Sequence, residues 1–307
     1  MVLVNTTIRK EVEKINIDEV IIPHAPLKAY TSYRTGGEAD FLSIPSSLEE
    51  LRLILKWATT KNIPITVLGA GSNVLVSDDG VEGLVILTHS LHEYHIRGLL
   101  CVAQAGLPLD TLINIAIEHN LSGLEPLGGL PGTIGGAVWG NSGTHELTIT
   151  SYIEWVDYLD KNGELFRYYP LNESANYRTS FFKEHSYFIY EVALRLYFNK
   201  NSSLARLQKE ESRLKRLHKG QYDLPSAGCM FKNPEGLSAG RLIEESGCKS
   251  QSINGAMVSP HHANFIVKTK QETTSRDIYE LSEEMKQKVF EKNNIELERE
   301  VHLIGRW

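Results

Sequence analysis

The chain has 307 residues, 41% hydrophobic and 23% charged, with a formal net charge of -6. That is enough for a substantial core spread over two or three domains, and it excludes a low-complexity or disordered chain. The acidic balance argues against nucleic acid as a partner, because phosphate backbones select basic faces, although clustered Lys and Arg can still hold a small phosphorylated ligand.

No run approaches the roughly 18 apolar residues of a membrane helix. The charged N-terminal segment lacks a signal peptide's apolar core. The expected compartment is the cytoplasm, with no membrane association and no obligate protein partner. Cys101, Cys229 and Cys248 stand at wide spacings without a CxxC pair, and the 11 histidines form no HExxH-like cluster. Neither a disulfide framework nor a metal site is expected.

In chain order, the first clear element is a helix in residues 45–60. Ser47 followed by Glu50 is a capping-box signal, and Leu48, Leu51 and Leu55 share a face. IPITVLGAGSN then reads as a short strand ending in glycines, with VLVSD and GLVILT as further strands. A helix is expected at 108–119, opened by a proline whose missing N–H costs little there. Residues 123–143 carry eight glycines and two prolines, which excludes one regular element and predicts a loop. Strand-like runs follow at 152–159, 164–169 and 187–198. A charged helix at 204–219 has a thin stripe of Leu207, Leu214 and Leu217. A long amphipathic helix at 274–292 presents Ile278, Leu281, Met285 and Val289 on one face. The final IELEREVHLIG reads as a strand. A domain boundary is placed near 200–220.

Two glycine loops stand out. Gly69-Ala70-Gly71-Ser72-Asn73-Val74 superficially matches a dinucleotide fingerprint, but Val74 takes the place of the third glycine and no helix follows, so a Rossmann reading is poor. Close backbone approach at Gly69 and Gly71, with donors from Ser72 and Asn73, still suits an anion. A single such loop is more often a plain turn. The second loop, with Gly128, Gly129, Gly132, Thr133, Gly135 and Gly136, changes that balance: both loops end αβ segments and are economically read as two walls of one cofactor site.

YRTGGEAD (33–40), VLGAGSNVLVSD (67–78), GLEPLGGLPGTIGGAV (123–138), YRTSFF (177–182), PSAGCMFKNP (225–234), GRLIEESGCK (240–249), HANFIV (262–267) and LEREVHLIG (297–305) occur in that order. Together they resemble the UDP-N-acetylenolpyruvoylglucosamine reductase family over about residues 28–305. GRLIEESG directly follows FKNPEGLSA, which resembles the shorter, type II form. The resemblance implies an α+β fold: two FAD-binding subdomains of the vanillyl-alcohol-oxidase (PCMH) type, at 1–88 and 89–203, and a substrate domain at 204–307 whose last strand returns Glu300 to the active site. It implies FAD as cofactor, NADPH as hydride donor and UDP-N-acetylenolpyruvoylglucosamine as substrate.

By the same resemblance, Gly69, Ala70, Gly71, Ser72, Asn73, Gly128, Gly132, Thr133, Gly135 and Gly136 match the FAD loops. Arg178 matches the arginine on the enolpyruvyl carboxylate, and Glu300 matches the active-site glutamate. Cys229 stands where the family has a serine proton donor. Tyr177, Lys232 and Asn233 are candidate substrate contacts, with a turn-stabilising role for Asn233 as the alternative.

In the implied reaction the flavin gives hydride to C3, negative charge builds on C2 and its carboxylate, and C2 then takes a proton. Arg178 can meet the carboxylate with a planar fork. A carboxylate at Glu300 would repel that charge unless protonated or hydrogen-bonded. A thiol, at an ordinary pKa of about 8.5, is a stronger acid than a serine hydroxyl and a poorer hydrogen-bond donor. Cys101, Cys248 and the pair His261-His262 are read as structural. Two other functions remain open: a flavin oxidase of the same cofactor fold, and a nucleotide-sugar sensor without catalysis.

Overall fold

The computed structural model describes residues 16–144, 147–170, 179–185 and 187–307. Helices and sheets are mixed along the described residues, as the α+β expectation requires. The chain forms two compact units. One takes the described part of Met1–His24 with Phe41–Ala70 and Gly83–Arg213; the other takes Ala25–Asp40, Gly71–Glu82 and Leu214–Trp307.

In the first unit the Leu48–Thr60 helix begins as its sequence dictates. The Ser47 hydroxyl accepts from the Glu50 N–H at 3.1 Å, while the Glu50 carboxylate reaches one residue further back, to the N–H and hydroxyl of Ser46. Its buried face, Leu51, Ile54, Leu55 and Ala58, packs with Leu84 and Ile86 of the strand Val81–Leu87, which pairs in parallel with Ile65–Leu68. A five-stranded antiparallel sheet has the order Leu165–Tyr168, Ile153–Leu159, Phe188–Arg195, Leu100–Gln104, Tyr94–Arg97. The Leu109–Glu118 helix supplies Leu112, Ile113 and Ala116 to that sheet's core.

The glycine-rich stretch differs from its expected loop. Residues Glu125–Leu127 form a 3-10 turn and Ile134–Trp139 an α-helix. Two glycines lower the intrinsic helix propensity of IGGAVW. Bonds from outside the helix offset this: Ile134 N–H donates to the Leu107 carbonyl (2.9 Å) and Gly135 N–H to the Ala105 carbonyl (2.8 Å).

The core of the second unit forms around the Ser275–Asn293 helix. Ile278, Leu281, Met285 and Val289 are fully buried against Ala256, Val258, Ile266 and Leu297. Each such side chain contributes about 1.5–3 kcal/mol by leaving water. Tyr33 and Leu75 belong to the same core although they lie some 200 residues earlier. The expected C-terminal strand is shorter than IELEREVHLIG. Only His302–Ile304 is a strand, in parallel with Val74–Val76, while Arg299 makes no more than an isolated bridge to Phe231. Among the described residues no helix is long and apolar enough to cross a membrane.

Candidate active site

The two glycine loops meet in the first unit. The strand Ile65–Leu68 ends at Gly69, where an added Cβ would lie 2.5 Å from Thr133 Oγ1, so the approach excludes any side chain at 69. Thr133 caps the Ile134–Trp139 helix, its hydroxyl accepting from Gly136 N–H at 3.3 Å. The loop is fixed from behind: Leu109 N–H donates to the Gly132 carbonyl at 3.0 Å, and Pro108 bridges Thr133.

Gly136 is exposed on this surface, and Gly132 is half-buried with φ +138°. Gly135 and Gly128 have a different reason to be glycine. An added Cβ would fall 2.7 Å from the Ala105 Cβ in one case and 2.6 Å from Lys209 Cγ in the other. Both are protein contacts. The result is a surface of glycine backbone with the Thr133 hydroxyl buried beneath it, which fits a diphosphate group better than a bulky apolar ligand.

The rest of the first loop belongs to the second unit, after the half-buried Ala70. Gly71 has φ +59°, its carbonyl accepts from Ser32 N–H at 3.0 Å, and an added Cβ would lie 2.1 Å from the Tyr30 carbonyl oxygen. Ser72 is half-buried. The Asn73 side chain has a use that its sequence context did not suggest: Nδ2 donates to the Glu300 carbonyl at 3.2 Å, while the Asn73 carbonyl accepts from His302 N–H at 3.1 Å. Asn73 thus anchors the segment that carries Glu300.

Cys229 lies on a neighbouring segment. Gly228, at φ +78°, turns the chain before it, and residues 229–232 run between two others. On one side Cys229 bridges Phe265 and Met230 N–H donates to the Asn264 carbonyl at 2.7 Å. On the other, Glu300 N–H donates to the Met230 carbonyl and Lys232 N–H to the Glu298 carbonyl, each at 2.8 Å. Cys229 and Glu300, 71 positions apart in sequence, therefore sit on adjoining, directly bonded backbones, and both are half-buried. The structure brings Asn73, Cys229 and Glu300 together.

Lys232 Nζ forms an ion pair with Glu298. Asn233 Oδ1 accepts from Ala239 N–H at 3.0 Å, tying down the turn before the Ala239–Glu245 helix. Tyr177 and Arg178 lie outside the described residues. Beside that helix opens a cavity of about 480 Å³, with Ser238, Arg241, His261 and His262 among its walls. Burial, with the Lys219 ammonium, holds His262 below the ordinary histidine value.

The other two cysteines are fully buried. Burial pushes the Cys101 thiol up to about 12 and raises that of Cys248. Asn264, whose side chain bonds the backbone two residues beyond Cys229, was not singled out from sequence. Its only signal there was its place in HANFIV.

Residues 39–169 match the family described as "FAD binding domain", and residues 220–304 match "UDP-N-acetylenolpyruvoylglucosamine reductase, C-terminal domain". A Clostridium botulinum (strain Okra / Type B1) protein named UDP-N-acetylenolpyruvoylglucosamine reductase is 37% identical over 280 residues, 91% of each chain. A Caldanaerobacter subterraneus protein of the same name is 35% identical over 91% of this chain and 92% of its own. Among solved structures, the UDP-N-acetylenolpyruvylglucosamine reductase of Thermus caldophilus superimposes with a TM-score of 0.78. It is 35% identical and covers 92% of this chain and 98% of its own.

Proposed function

The chain belongs to the UDP-N-acetylenolpyruvoylglucosamine reductase family, and from that premise we propose that it reduces UDP-N-acetylenolpyruvoylglucosamine to UDP-N-acetylmuramate for peptidoglycan synthesis. The fold is α+β with an FAD-binding region of the vanillyl-alcohol-oxidase (PCMH) type. The observation that carries the reading is the bonded pairing of the Cys229 and Glu300 segments. An acidic hydrogen and a carboxyl group on adjoining backbones suit a reaction that must end in proton transfer to carbon.

Bound FAD supplies the hydride, drawn from NADPH, that adds to C3 of the enolpyruvyl double bond. The glycine surface at Gly69, Gly132, Thr133 and Gly136 would hold the cofactor's phosphates by close backbone approach. As the double bond opens, its electron pair moves toward C2 and the attached carboxylate. Arg178, assigned by its YRTSFF motif, meets that carboxylate with a bidentate fork, worth about 3 kcal/mol to the transition state when preorganised.

Glu300 serves as a hydrogen-bond partner at the reacting end. Cys229 gives its thiol proton to C2, completing the single bond, and regains a proton from water. Tyr177 and Lys232 contribute to substrate binding, with Lys232 leaving Glu298 for the diphosphate. Asn233 shapes the turn beneath them. The reaction is placed in the cytoplasm, with NADPH rather than a protein as electron donor.

The test is an anaerobic absorbance trace of the purified holoprotein. NADPH should bleach the flavin, and UDP-N-acetylenolpyruvoylglucosamine should then restore its colour. Bleaching without recovery would mean a different electron acceptor, and rapid recovery with oxygen alone would favour an oxidase. A protein that binds the nucleotide sugar without any change in absorbance would be a sensor.

A further inference from the structure

Asn264 is 1% exposed, and its carboxamide serves the backbone of a single residue. Oδ1 accepts from Phe231 N–H at 3.0 Å, and Nδ2 donates to the Phe231 carbonyl at 2.7 Å. One side chain thus supplies the donor and acceptor that a neighbouring strand would otherwise give. The Asn264 carbonyl adds the bond from Met230 N–H. Together these three bonds fasten residues 230 and 231 on the side opposite Glu298 and Glu300. Phe231 is itself fully buried, so no water can replace the carboxamide there.

Cysteine has one rotatable bond between its backbone and its sulfur, so the position of Sγ follows the backbone within a few staggered choices. Gly228, immediately before it, has open space around its Cα and a left-handed φ of +78°, and is held through its N–H, which donates to Ser226 Oγ at 3.1 Å. Besides the bridge from Cys229 to Phe265, the restraint on its backbone comes from the residues that follow. We propose that Asn264 is a positioning residue for the proton transfer: by pinning Phe231 it fixes the Cys229 sulfur relative to Glu300. This rests on the reading of Cys229 as the proton donor.

A double-mutant cycle separates the two ideas. Single-turnover flavin reduction by NADPH, and reoxidation by UDP-N-acetylenolpyruvoylglucosamine, are measured on FAD-loaded Asn264→Ala, Cys229→Ala and the double variant. Asn264→Ala should slow reoxidation by about 10²-fold, the cost of a reacting group displaced by about 1 Å, with NADPH reduction within about twofold of the parent. In the Cys229→Ala background the same change should cost nothing further, because no sulfur remains to be positioned.

Normal reoxidation in Asn264→Ala with slow reoxidation in Cys229→Ala would overturn this proposal alone. Normal reoxidation in Cys229→Ala would overturn the donor role on which it rests. Equal, additive losses in both backgrounds would show a purely architectural residue. If Asn264→Ala does not accumulate as holoprotein, the cycle is run with Asn264→Asp, which keeps the acceptor for Phe231 N–H and loses the donor to its carbonyl. Failure of both variants to fold with FAD would also overturn the proposal.

Discussion

In the proposed reaction, a thiol at position 229 would offer the substrate carbon a stronger acid than a hydroxyl, at the expense of a weaker hydrogen bond before transfer. It also brings a liability, because the other two thiols are inaccessible. Cys101 and Cys248 are buried in separate cores with raised pKa values, while Cys229 is half-buried on a glycine-preceded turn. Alkylation of the folded holoprotein by iodoacetamide should therefore modify Cys229 and stop turnover. Cys229→Ser should retain turnover and lose that sensitivity. Cys229→Ala should keep flavin reduction by NADPH and slow reoxidation by about 10²–10⁴-fold, the usual worth of a placed proton donor. Mass mapping of the alkylated residue, with the two half-reactions timed separately, checks all three. Inactivation that persists in Cys229→Ser would move the sensitive group elsewhere.

At the level of elements, the Ser275–Asn293 helix shows how local chemistry fixes a boundary. Thr274 Oγ1 accepts from Asp277 N–H at 3.1 Å, and the Asp277 carboxylate accepts from Thr274 N–H at 2.8 Å. Burial by itself would raise the Asp277 carboxyl. The hydrogen bonds from Thr274 and Asn254 outweigh it and hold the group below the ordinary aspartate value.

A depressed carboxylate pKa binds fewer protons folded than unfolded. Its contribution is therefore complete above the ordinary value of about 3.9 and is lost as pH falls through the lower folded value. Asp277→Ala should reduce stability by of order 1 kcal/mol near neutral pH. The urea midpoint of the variant should approach that of the parent as the medium is acidified from about pH 5 to about pH 3. A constant gap across that range would remove the carboxylate's charge from the account. Elements of this kind are legible because caps and a 3.6-residue period act over neighbouring positions. Ile134–Trp139 was not legible, since the bonds that permit it come from Ala105 and Leu107. Nor was the short C-terminal strand, whose length is set by Val74–Val76.

At the scale of the whole molecule, sequence order and spatial grouping part ways. Composition and the charged helix suggest a division near residues 200–220. The second unit, however, gathers Ala25–Asp40 and Gly71–Glu82 with Leu214–Trp307. Those early segments are internal to its packing. Tyr33 and Leu75 are 0% and 1% exposed in its core, and Val74–Val76 is the strand partner of His302–Ile304. Asp78 completes the arrangement: its carboxylate accepts from Ser275 N–H at 3.0 Å and Arg276 N–H at 2.8 Å, capping the unit's longest helix.

This dispersal also explains why the candidate site was legible only as separate motifs. Asn73, Cys229 and Glu300 share no local periodicity, and the tie from Asn264 to Phe231 spans 33 positions. A fragment of residues 204–307 expressed alone should therefore lack a stable core. Without Tyr33 and Leu75 it carries cavities of the kind that cost about 2–5 kcal/mol per large side chain, and its last strand has an unpaired edge. Far-UV circular dichroism and amide exchange should show residual helix without protected strands. Adding the missing segments, by linking 25–40 and 71–82 ahead of residue 214, should restore protection at His302–Ile304. A fragment 204–307 that unfolds cooperatively and protects those amides unaided would show that the early segments decorate the unit rather than build it.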